Sequence, residues 1–151
     1  MKLIRLLSAG AAGLAMILPA AAQDNDPDES RRFTAERVFD IEYATGPQIS
    51  PDGSKIVYVR HSMDRLKDQD RGDLWIIDVA SGEQRPLVTG GASASSPVWS
   101  PDGTRLLYTT SGNGKPELRL HYLDSGDSFS LAQFEQGPSG AKWSPDGKLI
   151  A

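Results

Sequence analysis

The sequence predicts an all-β fold, a β-propeller of four-stranded blades, and three observations carry that expectation. One tetrapeptide occurs three times: Ser50-Pro51-Asp52-Gly53, Ser100-Pro101-Asp102-Gly103 and Ser144-Pro145-Asp146-Gly147. The copies lie 50 and 44 residues apart, a period that suits propeller blades. Short apolar runs flank each copy at fixed offsets, and the tyrosines Tyr58 and Tyr108 both stand eight residues beyond their serine.

The tetrapeptide has a mechanical reading. Serine suits the first position of a type I turn, where its hydroxyl bonds a nearby backbone amide. Proline pre-sets φ at the second position, aspartate tolerates the third, and glycine accepts a left-handed fourth. A type I turn followed by a left-handed residue is a common hairpin loop. Each copy is therefore expected to reverse the chain between antiparallel strands.

The flanking residues supply those strands. An apolar anchor precedes each turn: Ile49, then Val98-Trp99, then Trp143. After it come Ile56-Val57-Tyr58-Val59 and Leu106-Leu107-Tyr108. Third strands are expected over Leu74-Trp75-Ile76-Ile77-Asp78 and over Leu118 to Asp124, where Leu118, Leu120 and Tyr122 alternate. Fourth strands are expected over 84–89 and 128–134. The two periods differ by six residues, and the whole difference falls in loops: Tyr58 to Asp78 against Tyr108 to Asp124, then Asp78 to Ser100 against Asp124 to Ser144. Repeats that share one blade plan vary in that way. The third copy stops at Lys148-Leu149-Ile150-Ala151, so the chain reads as a fragment with two blades and one hairpin. The repeats start near 48, 98 and 142.

Residues 1–22 have the make-up of an export signal. Lys2 and Arg5 form a positive start, Leu6 to Leu18 is uncharged and apolar, and Ala20-Ala21-Ala22 offers small residues for cleavage before Gln23. The apolar run is shorter than the roughly 20 residues a spanning helix needs, so no membrane attachment is expected after cleavage. Residues 23–33 are acidic and read as a solvated lead-in. A short helix and lead-in are expected over 34–47, with Thr34 as cap and Glu36 in the first turn.

Composition narrows the partners. Removing Lys2 and Arg5 with the signal leaves 14 basic against 20 acidic residues, a formal charge of −6. An acidic chain without a basic stripe repels phosphate backbones, so no nucleic-acid partner is expected. There is no cysteine, hence no disulfide, no thiolate nucleophile and no lipid-anchoring thiol. Stability must come from packing, and Tyr58, Trp75, Tyr108, Trp99 and Trp143 are the expected blade-core aromatics.

The stretch from Phe33 to Ala151 resembles the N-terminal part of secreted peptidases of the prolyl oligopeptidase family, in the dipeptidyl and acylaminoacyl branch. The residues that carry the likeness are 47–53 (Pro-Gln-Ile-Ser-Pro-Asp-Gly), Tyr58-Val59-Arg60, Leu74 to Asp78 and the two Trp-Ser-Pro-Asp-Gly motifs. The resemblance implies an exported, periplasmic or extracellular propeller that filters peptides before a catalytic serine in an α/β-hydrolase domain. TolB-like periplasmic propellers use the same tetrapeptide, and that likeness implies a non-enzymatic module with a protein partner. A separate domain precedes the repeats in the TolB architecture, whereas 27 residues separate Gln23 from Ser50 here; this favours the peptidase.

No catalytic, cofactor or metal residue is assigned. A hydrolase elbow needs G-x-S-x-G, and the nearest strings, 91–95 and 137–141, both lack the last glycine. His61 reads as a loop residue and His121 as a strand residue. The stretch 24–28 echoes a calcium loop but lacks its glycine and its final glutamate. Asp64, Asp68, Asp70 and Asp73 alternate with Arg65, Lys67 and Arg71 and read as a self-compensated surface loop. Arg71-Gly72-Asp73 spells an adhesion tripeptide too short to carry weight.

Overall fold

The computed structural model describes residues 33–112, 114–138 and 140–151. The expected export signal, 1–22, and most of the expected lead-in, 23–33, lie outside the described residues. Among the described residues eight strands follow a short helical turn: β1 (Tyr43–Ile49), β2 (Lys55–Asp64), β3 (Gln69–Asp78), β4 (Gln84–Val88), β5 (Ala94–Trp99), β6 (Arg105–Gly112), β7 (Lys115–Tyr122) and β8 (Ser128–Gln133). They form two four-stranded antiparallel sheets, β1-β2-β3-β4 and β5-β6-β7-β8, each in chain order. Each sheet is one propeller blade. A third hairpin opens with a bridge between Trp143 and Ile150.

The lead-in differs from expectation. Ala35–Asp40 is a 3₁₀ helix, Thr34 makes no side-chain cap bond, and none of its residues is buried. Six residues without a buried apolar face give no gain for a full α-turn, so the tighter form suffices. Tyr43 to Pro47, assigned to the lead-in, are already the innermost strand of the first blade.

Strand alternation distributes the side chains. Val57, Val59, Leu74 and Ile76 turn one face of the first blade toward the second, where they meet Ala94, Trp99, Leu106 and Tyr108. The Trp99 indole also donates to the Gln48 carbonyl at 3.0 Å, which ties the two inner strands together. On the far face of the second blade, Leu107, Leu118 and Leu120 pack with Val98, Phe134 and Trp143. Trp143 thus repeats the place of Trp99 one blade further on, with the Arg105 guanidinium 4.9 Å from its ring centre.

Trp75 is a correction. Leu74 and Ile76 take the inter-blade face, so Trp75 stands on the opposite one, half-buried, with Arg60 4.5 Å from its ring centre. Tyr58 pairs across from Trp75 on that same face and donates to Gln84 at 2.9 Å. It is buried within its own sheet, outside the core between the blades. Gly72 has a packing reason to be glycine: a Cβ there would stand 2.6 Å from the Ala94 carbonyl oxygen and 2.8 Å from Val59.

Candidate functional site

The turns occupy one end of the blades. In each, the glycine amide donates to the serine carbonyl at 2.9 Å: Gly53 to Ser50, Gly103 to Ser100, Gly147 to Ser144. The glycines are left-handed, at φ +72, +70 and +67. The serine hydroxyl does two jobs. It accepts the amide of the residue five on (Lys55, Arg105, Leu149) at 2.9 to 3.0 Å. It donates to the aspartate carboxylate at 2.5 to 2.6 Å. That donation, with the amides of Ser54, Thr104 and Lys148, holds Asp52, Asp102 and Asp146 below the usual carboxylate range. Pro51 lies 3.5 Å from where a Cβ of Gly103 would stand, and Pro101 3.6 Å from that of Gly147. Successive turns therefore touch. Within each turn the serine and aspartate groups satisfy one another.

The interface between the blades holds a buried polar band. Glu117 accepts from Gln133 at 2.6 Å and from Arg119 at 2.9 Å, and these bonds lower its pKa. Arg119 also donates to the Tyr108 hydroxyl at 3.1 Å. His121, 2 % exposed, shares a hydrogen bond with the Ser128 hydroxyl at 2.9 Å, and its Nε2 has no partner. Burial, followed by the nearby Arg85 charge, pushes the His121 pKa down.

The opposite end of the first blade gathers titratable side chains. β2 and β3 run ten residues each and pair along their whole length, so the expected loop of alternating charges is mostly strand. His61 lies in β2, a correction to its assignment as a loop residue. Its Nδ1 and the Asp70 carboxylate are 2.6 Å apart, and its Nε2 is 2.9 Å from the Thr45 hydroxyl. The Tyr43 ring stacks on the imidazole, centroids 4.5 Å apart and planes within 3°. Tyr43 also donates to Asp70 at 3.4 Å; desolvation and the Asp70 charge raise its pKa. Asp64 caps the hairpin tip through the amides of Leu66 and Lys67, and Arg71 pairs with Asp73. A polar cleft of about 310 Å³ opens beside this cluster, lined by Asp64, Gln69, Asp70, Arg71, Ser93 and Ser111 among others. Among the described residues no group of acidic or imidazole side chains is arranged to hold a metal ion.

Tyr43, Thr45, His61 and Asp70 were not grouped by the sequence reading. They belong to three strands, and no motif spacing links them. The one usable signal is the hairpin register: with Tyr58 opposite Trp75, His61 and Asp70 become diagonal neighbours on one face.

A second recurring feature was also missed. Four residues before each turn serine the backbone is left-handed: Gly46 at φ +56, Ser96 at +52 and Gly140 at +73. In the first two blades the inner-strand pairing slips at that point, the mark of a β-bulge.

Sequentially ordered four-stranded blades, fastened by stacked turns and a hydrophobic seam, define a β-propeller. The chain belongs to the TolB beta propeller domain family, whose model matches residues 34–151. It is 31% identical over 119 residues to the uncharacterised peptidase YuxL of Bacillus subtilis, which covers 78% of this chain and 18% of that protein. It is 32% identical over 144 residues to the Tol-Pal system protein TolB of Alcanivorax borkumensis, covering 89% of this chain and 32% of that one. The acylaminoacyl peptidase of Pyrococcus horikoshii superposes with a TM-score of 0.62 at 15% identity, over 75% of this chain and 17% of that one, a likeness of fold alone. The propeller is thus related both to peptidase propellers and to TolB.

Proposed function

We propose that this chain is the substrate-gating propeller of an exported serine peptidase that hydrolyses short peptides, with the α/β-hydrolase domain outside this chain. The observation that carries the reading is the 31% identity to the peptidase YuxL over 119 residues. The polar cleft beside Asp70 and Arg71 supports it, since alternating carboxylates and guanidinium groups suit the charged ends and backbone of an extended peptide. The charged start, apolar run and Ala20-Ala21-Ala22 support export to the periplasm or beyond. N-terminal sequencing of the exported protein is expected to begin at Gln23, and an intact Met1 on membrane-bound protein would refute export.

The coding sequence beyond codon 151 tests the peptidase reading. Further blades, then G-x-S-x-G with a later aspartate and histidine, are expected, and the whole protein is expected to release nitroaniline from short peptidyl anilides. A gene that encodes blades alone, with no such activity, would refute it. That outcome would leave a TolB-like module acting through a protein partner, a reading favoured by the 32% identity to TolB over 144 residues.

A further inference from the structure

We propose that Thr45, His61 and Asp70 form a hydroxyl-activating relay, and that Thr45 is an acyl-acceptor site for activated esters. The site lies wholly within the first blade. A carboxylate only accepts hydrogen bonds, so in the neutral imidazole the nitrogen facing Asp70 carries the proton. Nε2 is then the acceptor, and the Thr45 hydroxyl donates to it across 2.9 Å. This is the order of contacts that activates a hydroxyl nucleophile: alcohol, imidazole base, orienting carboxylate. The stacked Tyr43 ring and the two imidazole bonds fix the ring on both its face and its edges. Thr45 is exposed, so a small ester reaches its hydroxyl, while the His61 side chain behind it keeps 17% of its surface open.

In the step, Thr45 Oγ1 attacks the acyl carbon and its proton passes to His61 Nε2. The bond from the acyl carbon to the ester oxygen breaks, and the leaving alcohol or phenol takes the proton from the imidazolium. The products are an acyl-threonine ester and the free alcohol. The inner-strand pairing skips Gly46 and Pro47, and proline has no N–H, so the Gly46 amide stands beside the nucleophile outside the paired register. Removing a single oxyanion donor costs about 10²–10³ in rate elsewhere. A good leaving group lowers the demand on such donors, so activated esters are the acyl donors expected.

The test is acetylation of the 151-residue chain by p-nitrophenyl acetate, with the modified residue located by peptide mass spectrometry. One acetyl group on Thr45 is expected. Thr45→Val should abolish the label there and Thr45→Ser should keep it. His61→Gln should slow it about a hundredfold, within the range for a lost general base. Asp70 acts through His61 as a positioning residue: Asp70→Asn should slow labelling at least tenfold, and Asp70→Glu should restore part of the rate. Circular dichroism separates these losses from unfolding. Acetyl groups confined to lysines or Tyr43, or Thr45 labelled as fast in His61→Gln as in the parent, would overturn the relay.

Discussion

Replacing each turn serine with alanine measures what the repeated tetrapeptide contributes, because the three copies share their bonds and differ in burial. In every copy the hydroxyl accepts one amide and donates to one carboxylate. Ser100 is fully buried, Ser50 is 5 % exposed, and Ser144 is partly open. Alanine at 100 leaves the Arg105 amide without a partner where water cannot replace it, at a cost of about 1–3 kcal/mol. The Asp102 carboxylate loses less, since it keeps the Thr104 amide at 3.0 Å and hydroxyl at 2.9 Å and faces solvent. Ser50→Ala should cost slightly less than Ser100→Ala, and Ser144→Ala under about 1 kcal/mol because water takes the freed sites. Urea unfolding of the three variants reads the order from their midpoints. A Ser144→Ala loss equal to or above that of Ser100→Ala, or no loss at Ser100, would refute the reasoning.

Three further perturbations follow from the geometry. Ser96 holds φ +52, a conformation that costs a side-chain-bearing residue about 1–2 kcal/mol; less the roughly 0.4–1 kcal/mol entropic cost of glycine, Ser96→Gly should raise stability by about 0.5–1 kcal/mol in the same urea assay. Valine at Gly103 and at Gly82 meets the same left-handed strain, φ +70 and +72, but only Gly103 has Pro51 at 3.5 Å; Gly103→Val should be the worse by about 1 kcal/mol or more. The lowered His121 pKa means the unfolded chain takes up that proton first, so stability is full above about pH 6.5 and falls as pH drops through that value toward the folded pKa. The lowered Asp52, Asp102, Asp146 and Glu117 pKa values add a second loss that begins below about pH 4. His121→Gln should remove the first limb of the urea-midpoint profile and leave the second.

The fold was legible where its causes are local. A type I turn is specified by four adjacent residues, so three copies marked three chain reversals, and alternation placed β3, β4, β7 and β8 within a few residues. The inner strands were harder. Gly46-Pro47 and Ser96-Pro97 look like breakers, yet the bulge absorbs the left-handed residue and sends the chain on to Ile49 and Trp99. Trp75 was misplaced because its neighbours Leu74 and Ile76 are equally apolar, and only the register with Val59 and Val57 decides which face they take. The relay was illegible for another reason. Its bonds cross between strands that approach only after β2 and β3 pair beyond the apolar core, through residues whose mixed charges resemble a loop.

The tetrapeptide also does more than turn a hairpin, and this explains why its proline and glycine recur together. A type I turn alone tolerates many residues at its second position. Here Pro51 packs toward Gly103, Pro101 packs toward Gly147, and the Arg105 guanidinium reaches the Gly147 carbonyl at 3.4 Å. Each turn is the seat of the next, so a side chain at the fourth position would strain the left-handed backbone and lie against the proline of the preceding turn. The hydrophobic seam sets how the sheets face one another, and the stacked turns fix their spacing at one end. The far end is left to vary: β2 and β3 outrun β6 and β7 by two residues each. The longer hairpin carries the His61 imidazole and the Asp70 carboxylate, which meet Tyr43 and Thr45 of β1. A rigid end and a variable end let one repeat plan carry different binding surfaces, which accounts for the kinship of this chain with both a peptidase and TolB.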